Sequence, residues 1–526
     1  ESLPDKVWDA IPGISWIDAA GTFHTHPPGP RLQDLDVIPS PYLMGLFDAM
    51  VASQASRQAA RAGAVHPSRQ DAQEHFVMLW ESNRGCPFSC AFCDWGSNMA
   101  SKVQRFGLER LKAEIDWAAA HGIATLNCCD ANFGMLPRDL EIAEYVVAAH
   151  QRTGYPSNFF IQSAKNATER AYAVLRLIIQ SGLHHMVTLS LQSVSPAVLK
   201  SIRRENISLE TYRQLQYRFR RDGVATYTDL LIGLPDETHD SFAEGICRVL
   251  SEGQHHWINF YPVYILPNAE LAQPDYRRRF GLETIRIPYS EDAMQLKQEV
   301  PETQELVIAS ASYSREDWCR MRCLAWWVQI LYYNYKLLQL PLLLLNSLAG
   351  IPWRCLFEAF ADARFAASPM LQDLHGFLQR KALGMLRGEP EPCAFEGQWL
   401  NVPNFIIAGL ASEPVARAFF AEAGSVLRQL QAAHGAELPP GLLDEALQLS
   451  EGLFLSPVLQ KPFSLPGRYT LWPWYQAALR GEPIELLPDP CRYVRDWFNE
   501  PLFDVRVDPP VSPLCIASSY NNPESS

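Results

Sequence analysis

No long run of basic side chains stands in this chain; the longest is Arg277–Arg279. Its 526 residues hold 45 lysines and arginines against 58 aspartates and glutamates, a formal charge of −13. Proteins that grip nucleic acid by its phosphates concentrate cations on one face or strand. The composition therefore speaks against a nucleic-acid partner. A charged-then-apolar leader is also missing ahead of Leu3, and the first residue is Glu1, not Met, so no secretory signal is legible. The most apolar run, Cys323 to Gly350, is broken by Gln329, Asn334, Lys336, Gln339, Pro341 and Asn346. A membrane helix needs roughly 20 consecutive, mainly apolar residues. The run predicts one or two buried helices and no span. The 12 cysteines are scattered and do not form a disulfide framework, which points to a reducing, cytoplasmic setting.

What is present reads as globular. Hydrophobic residues make up 48% and charged residues 20%. The length leaves room for several domains and a large core. From His75 onward an apolar, β-rich run followed by a helical stretch repeats six times. The predicted strands cover 75–83, 124–132, 157–164, 186–193, 225–234 and 257–266. Gly122, Gly154, Gly182, Gly223 and Gly253 each close a helical stretch, as expected just past a helix end. Ser195-Pro196 reads as an N-cap followed by proline at the first helical position. Alternation of this kind predicts an α/β fold with a parallel sheet, either an open sheet or a partial barrel. Ligands of such folds bind at the carboxyl ends of the strands.

Four segments are expected. Residues 1–74 are a linker or helical lead-in, with a turn and helix over Pro39–Ala64. Residues 75–284 form the βα core, 285–505 a mainly helical domain, and 506–526 a disordered tail.

The chemistry-bearing feature is RGCPFSCAFCDWGS, which sets Cys86, Cys90 and Cys93 in a CxxxCxxC pattern directly after the first strand. Three thiols on a loop carrying Gly85 and Pro87 repel as thiolates unless a cation holds them. A structural zinc site wants a fourth ligand, usually a second CxxC or a histidine pair, and none follows at a suitable spacing. Cys128 and Cys129 are adjacent within a predicted strand, and Cys319 and Cys323 are one helical turn apart with no partner pair. Three thiolates on a four-iron cube leave one iron open to a substrate or cofactor. That is the favoured reading. Zinc and inert buried thiols are the alternatives.

CxxxCxxC after the first strand of a six-unit βα domain resembles the radical S-adenosylmethionine (radical SAM) superfamily. The resemblance implies a partial (β/α)6 TIM-like barrel and a 4Fe-4S cluster on Cys86, Cys90 and Cys93. It also implies S-adenosylmethionine chelated at the open iron and cleaved to a 5′-deoxyadenosyl radical. IPSPYLMGLFD, NRGCPFSCAFCDWG, DANFGMLPRD, LSLQS, LIGLPDET and LPNAE extend the likeness over residues 36–272. Together they resemble the cobalamin-binding branch, whose typical activity is methyl transfer to an unactivated carbon. Two departures stand out. Only 74 residues precede the first predicted strand, without βα pattern, where that branch places a cobalamin domain, and no DxHxxG motif occurs. The expectation is that the cobalamin domain lies outside this chain.

The resemblance also implies further site residues. Phe92 would pack near adenine. Asp130 and Asn132, where the superfamily often has GGE, would receive the methionine ammonium, with a structural cap as the alternative for Asp130. Ser190 and Gln192, on one face by period two, would bond ribose hydroxyls and the carboxylate, and Arg204 would pair with the carboxylate or lie at the surface. Gly233 would let adenine approach, and Tyr264 would offer backbone groups to it. Asp236 replaces a common glycine, so that turn is expected to differ. His184-His185 and His255-His256 read as surface or core residues. Expected partners are a small-molecule or peptide substrate and a flavodoxin- or ferredoxin-type electron donor. A radical epimerase, cyclase or rearrangement enzyme without cobalamin is the alternative activity, and a zinc-stabilised binding module the non-enzyme alternative. No catalytic residue is assigned.

Overall fold

The computed structural model describes residues 11–27, 29–53, 76–95, 102–164, 169–289, 302–363, 367–495 and 506–508. The chain divides into two compact units. One comprises residues 1–88, 95–133 and 138–162, the other 89–94, 134–137 and 163–526.

The first unit opens with a hairpin of β1 (Ser15–Ile17) and β2 (Phe23–Thr25). Turns at 41–47 lead into helical residues 48–53, and the rest of the expected helix, 54–64, lies outside the described residues. Then come β3 (Val77–Trp80), β4 (Asn83–Arg84), β5 (Gln104–Arg105), α1 (Leu108–Ala120), β6 (Thr125–Cys128), α2 (Asp139–Thr153) and β7 (Asn158–Phe160). β3, β6 and β7 form a parallel sheet in that order, and β4 pairs antiparallel with β5. Period-two burial fixes the register of β3. Met78 and Trp80 are buried, while Val77 and Leu79 are exposed. The Trp80 indole N–H donates to Glu114 on α1 at 3.0 Å, and Arg110 Nε donates to the same carboxylate at 3.0 Å. The buried Trp80 N–H and the Glu114 charge are thereby both satisfied.

The second unit repeats the βα pattern. It runs through α3 (Glu169–Gln180), β8 (Met186–Thr188), α4 (Pro196–Ser201), α5 (Leu209–Arg221), β9 (Ala225–Ile232), α6 (His239–Ser251) and β10 (Trp257–Pro262). β8, β9 and β10 are parallel, with β9 in the centre. The glycines that close the predicted helices all adopt positive φ. The fold is thus α/β, with two three-stranded parallel sheets among the described residues, one in each unit.

The fourth of these strands is shorter than its alternation predicts. β8 stops at Thr188, and Gln192 rejoins β9 through a single bridge to Leu230. Gln192 has a φ of +67°, which turns the backbone out of the extended form.

Beyond β10 come β11 (Tyr264–Ile265), α7 (Pro274–Phe280), β12 (Glu283–Pro288) and β13 (Thr303–Ala309), with β13 central in an antiparallel sheet. Residues 290–301 lie outside the described residues, including the helical stretch expected at 291–300. α8 (Arg315–Val328) starts at a capping box between Ser314 and Asp317. Gln329–Tyr333 form a π-helical turn, and α9 (Gln339–Ser347) follows. The apolar run is therefore two buried helices joined by an irregular turn. Among the described residues no helix is long and apolar enough to cross a membrane.

The remainder is α10 (Trp353–Ala361), α11 (Pro369–Met385), β14 (Cys393–Phe395), β15 (Gln398–Leu400), α12 (Val402–Leu410), α13 (Glu413–Ala433), α14 (Leu442–Leu459), β16 (Phe463–Tyr469), α15 (Leu471–Arg480), β17 (Pro488–Arg495) and β18 (Arg506–Asp508). Two corrections follow. The C-terminal region is helical with added antiparallel strands, not helical throughout. The expected tail begins as a strand, since Arg506–Asp508 pairs with Arg492–Val494 of β17 and satisfies backbone groups that a free tail would leave to water. Residues 509–526 lie outside the described residues.

Candidate active site

Cys86 belongs to the first unit, and Cys90 and Cys93 to the second. The loop after β3 carries Gly85 at a φ of +107°, a backbone angle that favours glycine, and it delivers Cys86 to a buried position. Asn132, beyond β6, is also buried, and its side-chain amide donates to Cys86 Sγ at 3.2 Å.

Asp130 is not open to a ligand ammonium as the sequence had implied. It has no exposed surface, and both of its oxygens are taken. Oδ1 accepts from the backbone N–H of Ser82 at 2.8 Å and of Asn83 at 3.1 Å. Oδ2 accepts from the Ser82 hydroxyl and from Asn83 Nδ2. Burial pushes this carboxyl above its ordinary range, and the Ser82 and Asn83 donors offset part of the rise. Asp130 thus braces the two residues that lead into the Cys86 loop.

In the second unit Cys90 is buried and Cys93 half-buried. Their turn closes with a bond from Cys93 N–H to Cys90 O at 3.1 Å. The segment is stitched to its surroundings through Ala91, whose N–H donates to Ile202 O and whose carbonyl accepts from Leu271 N–H, both at 2.9 Å. Phe92 packs on an apolar cluster that includes Val198, Ile202, Leu234, Leu271 and Val307. Arg204 is 5% exposed, which excludes the surface role left open for it. It donates to Asn206 Oδ1 at 2.7 Å and to the Ser190 carbonyl. Burial lowers its pKa, and the neighbouring thiols, Cys90 foremost, oppose that shift.

Ser190 and Gln192 are half-buried and alternate with the buried Leu189 and Leu191. The Ser190 hydroxyl donates to Asp229 Oδ2. Asp229 Oδ1 accepts from Asn259 Nδ2 at 3.0 Å, and Asn259 Oδ1 accepts from the Trp257 indole at 2.6 Å. The sequence did not single out Asn259. The available signal was its register opposite Asp229 in two adjacent alternating strands.

Gly233 is buried with a φ of +100°. A Cβ there would lie 3.3 Å from both the Tyr313 hydroxyl and the Val307 carbonyl. Tyr313 donates to the Gly233 carbonyl at 2.8 Å. Asp236 takes a φ of +60° and accepts from the Ser201 hydroxyl, so it supplies the left-handed turn that a glycine commonly makes. Tyr264 pairs with Leu306 in β11–β13, and burial pushes its hydroxyl up to about 12. His255 is half-buried. Its Nδ1 lies 2.8 Å from the Tyr332 hydroxyl.

Among the described residues, no three His, Cys, Asp or Glu side chains form a preassembled metal cage. The donor set is nevertheless suited to an iron–sulfur cluster in kind. It comprises three thiols on a glycine-containing loop, two of them buried, and one with a side-chain amide donating to its sulfur.

Comparison with known proteins agrees with this chemistry. Residues 80–246 match the family described as the Radical SAM superfamily. The matched segment is that of the class whose resemblance the motifs showed, and the cofactors of that class are S-adenosylmethionine and a 4Fe-4S cluster. It is 38% identical over 311 residues to the cobalamin-dependent radical SAM methyltransferase TokK of Streptomyces tokunonensis, covering 59% of this chain and 43% of that one. It is 40% identical over 291 residues to the 2-(S-pantetheinyl)-carbapenam-3-carboxylate methyltransferase of Streptantibioticus cattleyicolor, covering 55% of this chain and 40% of that one. The chain thus spans less than half the length of these curated relatives. The cobalamin-dependent S-adenosylmethionine radical enzyme OxsB aligns with 12% identity and a TM-score of 0.40, over 86% of this chain and 65% of that one.

Proposed function

We propose that Cys86, Cys90 and Cys93 hold a 4Fe-4S cluster, that S-adenosylmethionine binds at its open iron, and that the chain works with cobalamin to methylate an unactivated carbon of a small molecule. The observation that carries this reading is the CxxxCxxC loop with its buried, donor-supported sulfurs, inside a segment that matches the radical SAM family. The two relatives support the methyl-transfer part, and the one named for 2-(S-pantetheinyl)-carbapenam-3-carboxylate supports a small-molecule substrate class. When bound, the cluster supplies the electron that cleaves the sulfonium, and cobalamin supplies a methyl group.

The chain's own residues bind and orient. Phe92, held on its apolar cluster, offers a flat wall to adenine. Ser190 and Gln192, with Asp229 behind Ser190, offer polar groups to the ribose and carboxylate. Gly233 and Tyr264 complete the adenine side through backbone groups. Asn132 and Arg204 support the sulfurs. In this reading the six parallel strands belong to one partial barrel, residues 285–505 close the substrate pocket, and cobalamin is held by a domain beyond residues 1–74. An external flavodoxin- or ferredoxin-type donor supplies electrons. All eleven cysteines among the described residues are free, which suits a reducing, cytoplasmic setting.

The test is anaerobic reconstitution followed by chromatography of the products from S-adenosylmethionine and a strong reductant, with and without methylcobalamin. Formation of 5′-deoxyadenosine supports the radical reading. S-adenosylhomocysteine formed only with cobalamin supports methyl transfer. A protein that carries zinc and leaves S-adenosylmethionine intact would be a binding module instead.

A further inference from the structure

The expected role of Asn132 is to meet the methionine ammonium, and that of Arg204 to meet the methionine carboxylate. Their observed contacts point elsewhere. The Asn132 amide is 2% exposed and spends a donor on the sulfur of Cys86 at 3.2 Å. Arg204 is anchored at two positions, by the Asn206 side chain on Nε and by the Ser190 carbonyl on Nη2. So anchored and buried, it interacts favourably with the Cys90 thiol. Each residue comes from beyond a different parallel strand, Asn132 after β6 and Arg204 after β8, and each attends a different thiol of the motif.

We propose that Asn132 and Arg204 are positioning residues that each donate a hydrogen bond to one cluster sulfur and thereby raise the reduction potential of the cluster. The inference rests on the cluster reading above. Its physics is direct. Reduction adds one negative charge to a cluster already held by thiolates. A donor at sulfur stabilises the reduced form more than the oxidised form, so the potential rises with hydrogen bonding and with nearby positive charge. The charged guanidinium is the stronger donor, because charge-assisted hydrogen bonds are roughly twice as strong as neutral ones. Both donors are buried, so little water competes for the sulfurs and the effect is undiluted.

The experiment is a redox titration of the reconstituted full chain followed by electron paramagnetic resonance, without S-adenosylmethionine. Wild type is compared with Asn132→Asp, Arg204→Gln, Arg204→Lys and the Asn132→Asp/Arg204→Gln double variant. Asn132→Asp is close to isosteric and replaces the donor by an acceptor. Arg204→Lys keeps the charge. The expected result is a more negative midpoint in both donor-loss variants, a further fall in the double variant, and an intermediate value for Arg204→Lys. Iron content and circular dichroism should stay at wild-type levels. Midpoints equal to wild type in variants that retain their cluster would overturn the inference. So would unchanged midpoints beside weakened S-adenosylmethionine binding, read by equilibrium dialysis of the same variants, which is what contacts to the methionine carboxylate and ammonium would give. A wild-type chain that takes up no iron–sulfur cluster would instead overturn the functional reading, and this inference with it.

Discussion

Asp229 and Asn259 are register partners on the adjacent parallel strands β9 and β10, and the Asn259 amide donates to the Asp229 carboxylate at 3.0 Å. With Ser190 on the other oxygen, this carboxylate is held by two side chains and by no cation within ion-pair distance among the described residues. Burial raises its pKa, and its Ser190 and Asn259 donors recover only part of the shift.

The sign of the resulting pH dependence follows by linkage. Where the folded-state pKa lies above the unfolded value near 3.9, the folded chain binds more protons between the two values. Stability therefore falls as pH rises through that window. Asp229→Asn keeps an acceptor for Asn259 and removes the ionisation. Urea unfolding at a series of pH values from 4 upward should show a shallower decline for the variant than for wild type. An equal slope would mean that Asp229 carries no such burden.

Gly233 gives a second prediction. Its φ of +100° and the 3.3 Å approach of a built Cβ to the Tyr313 hydroxyl and the Val307 carbonyl leave no room for a side chain. Gly233→Ala should cost about 1–3 kcal/mol, the scale of a non-glycine residue held in a sparsely populated backbone region. Chemical denaturation of the two proteins side by side reads this directly. A change below about 0.5 kcal/mol would show that the backbone relaxes there.

His255 gives a third prediction. Burial depresses its pKa to about 3, and the Tyr332 hydroxyl sits 2.8 Å from Nδ1. A histidine whose folded pKa lies below its unfolded value near 6.5 binds fewer protons when folded. Its contribution is therefore intact above about 6.5 and is lost progressively as pH falls towards the folded value. Melting temperatures of wild type and His255→Gln should converge as pH drops from about 7 to 4. Tyr332→Phe, which strips the partner hydroxyl, should cost about 1–3 kcal/mol at neutral pH.

The repeating core was legible because each strand is short, apolar and followed by a helix ending in glycine. That pattern is local, and the residues that make it are close in sequence. The later strands were not legible. β12 and β13 pair across residues 290–301, and β17 pairs with β18 across 496–505, so neither pairing leaves a hairpin signature. The three cysteines stood out because spacing alone carries their chemistry. The partners of Asp130 were hidden for the opposite reason. A carboxylate near a motif reads as a ligand until the donors of Ser82 and Asn83, 47 or 48 residues away, are seen to fill it. Arg204 and Asn259 likewise depend on partners in other strands, and a single sequence does not reveal which strands are neighbours.

The measurement that bears most directly on the account is iron and sulfide content after anaerobic reconstitution, with the paramagnetic resonance spectrum of the reduced protein. It should be made on wild type and on Cys86→Ala, Cys90→Ala and Cys93→Ala separately. The account predicts about four irons per chain and a 4Fe-4S signal in wild type, with both lost or sharply reduced in each of the three variants. Retention of a full cluster in any one of them, or a wild-type protein that holds zinc in place of iron, would contradict it.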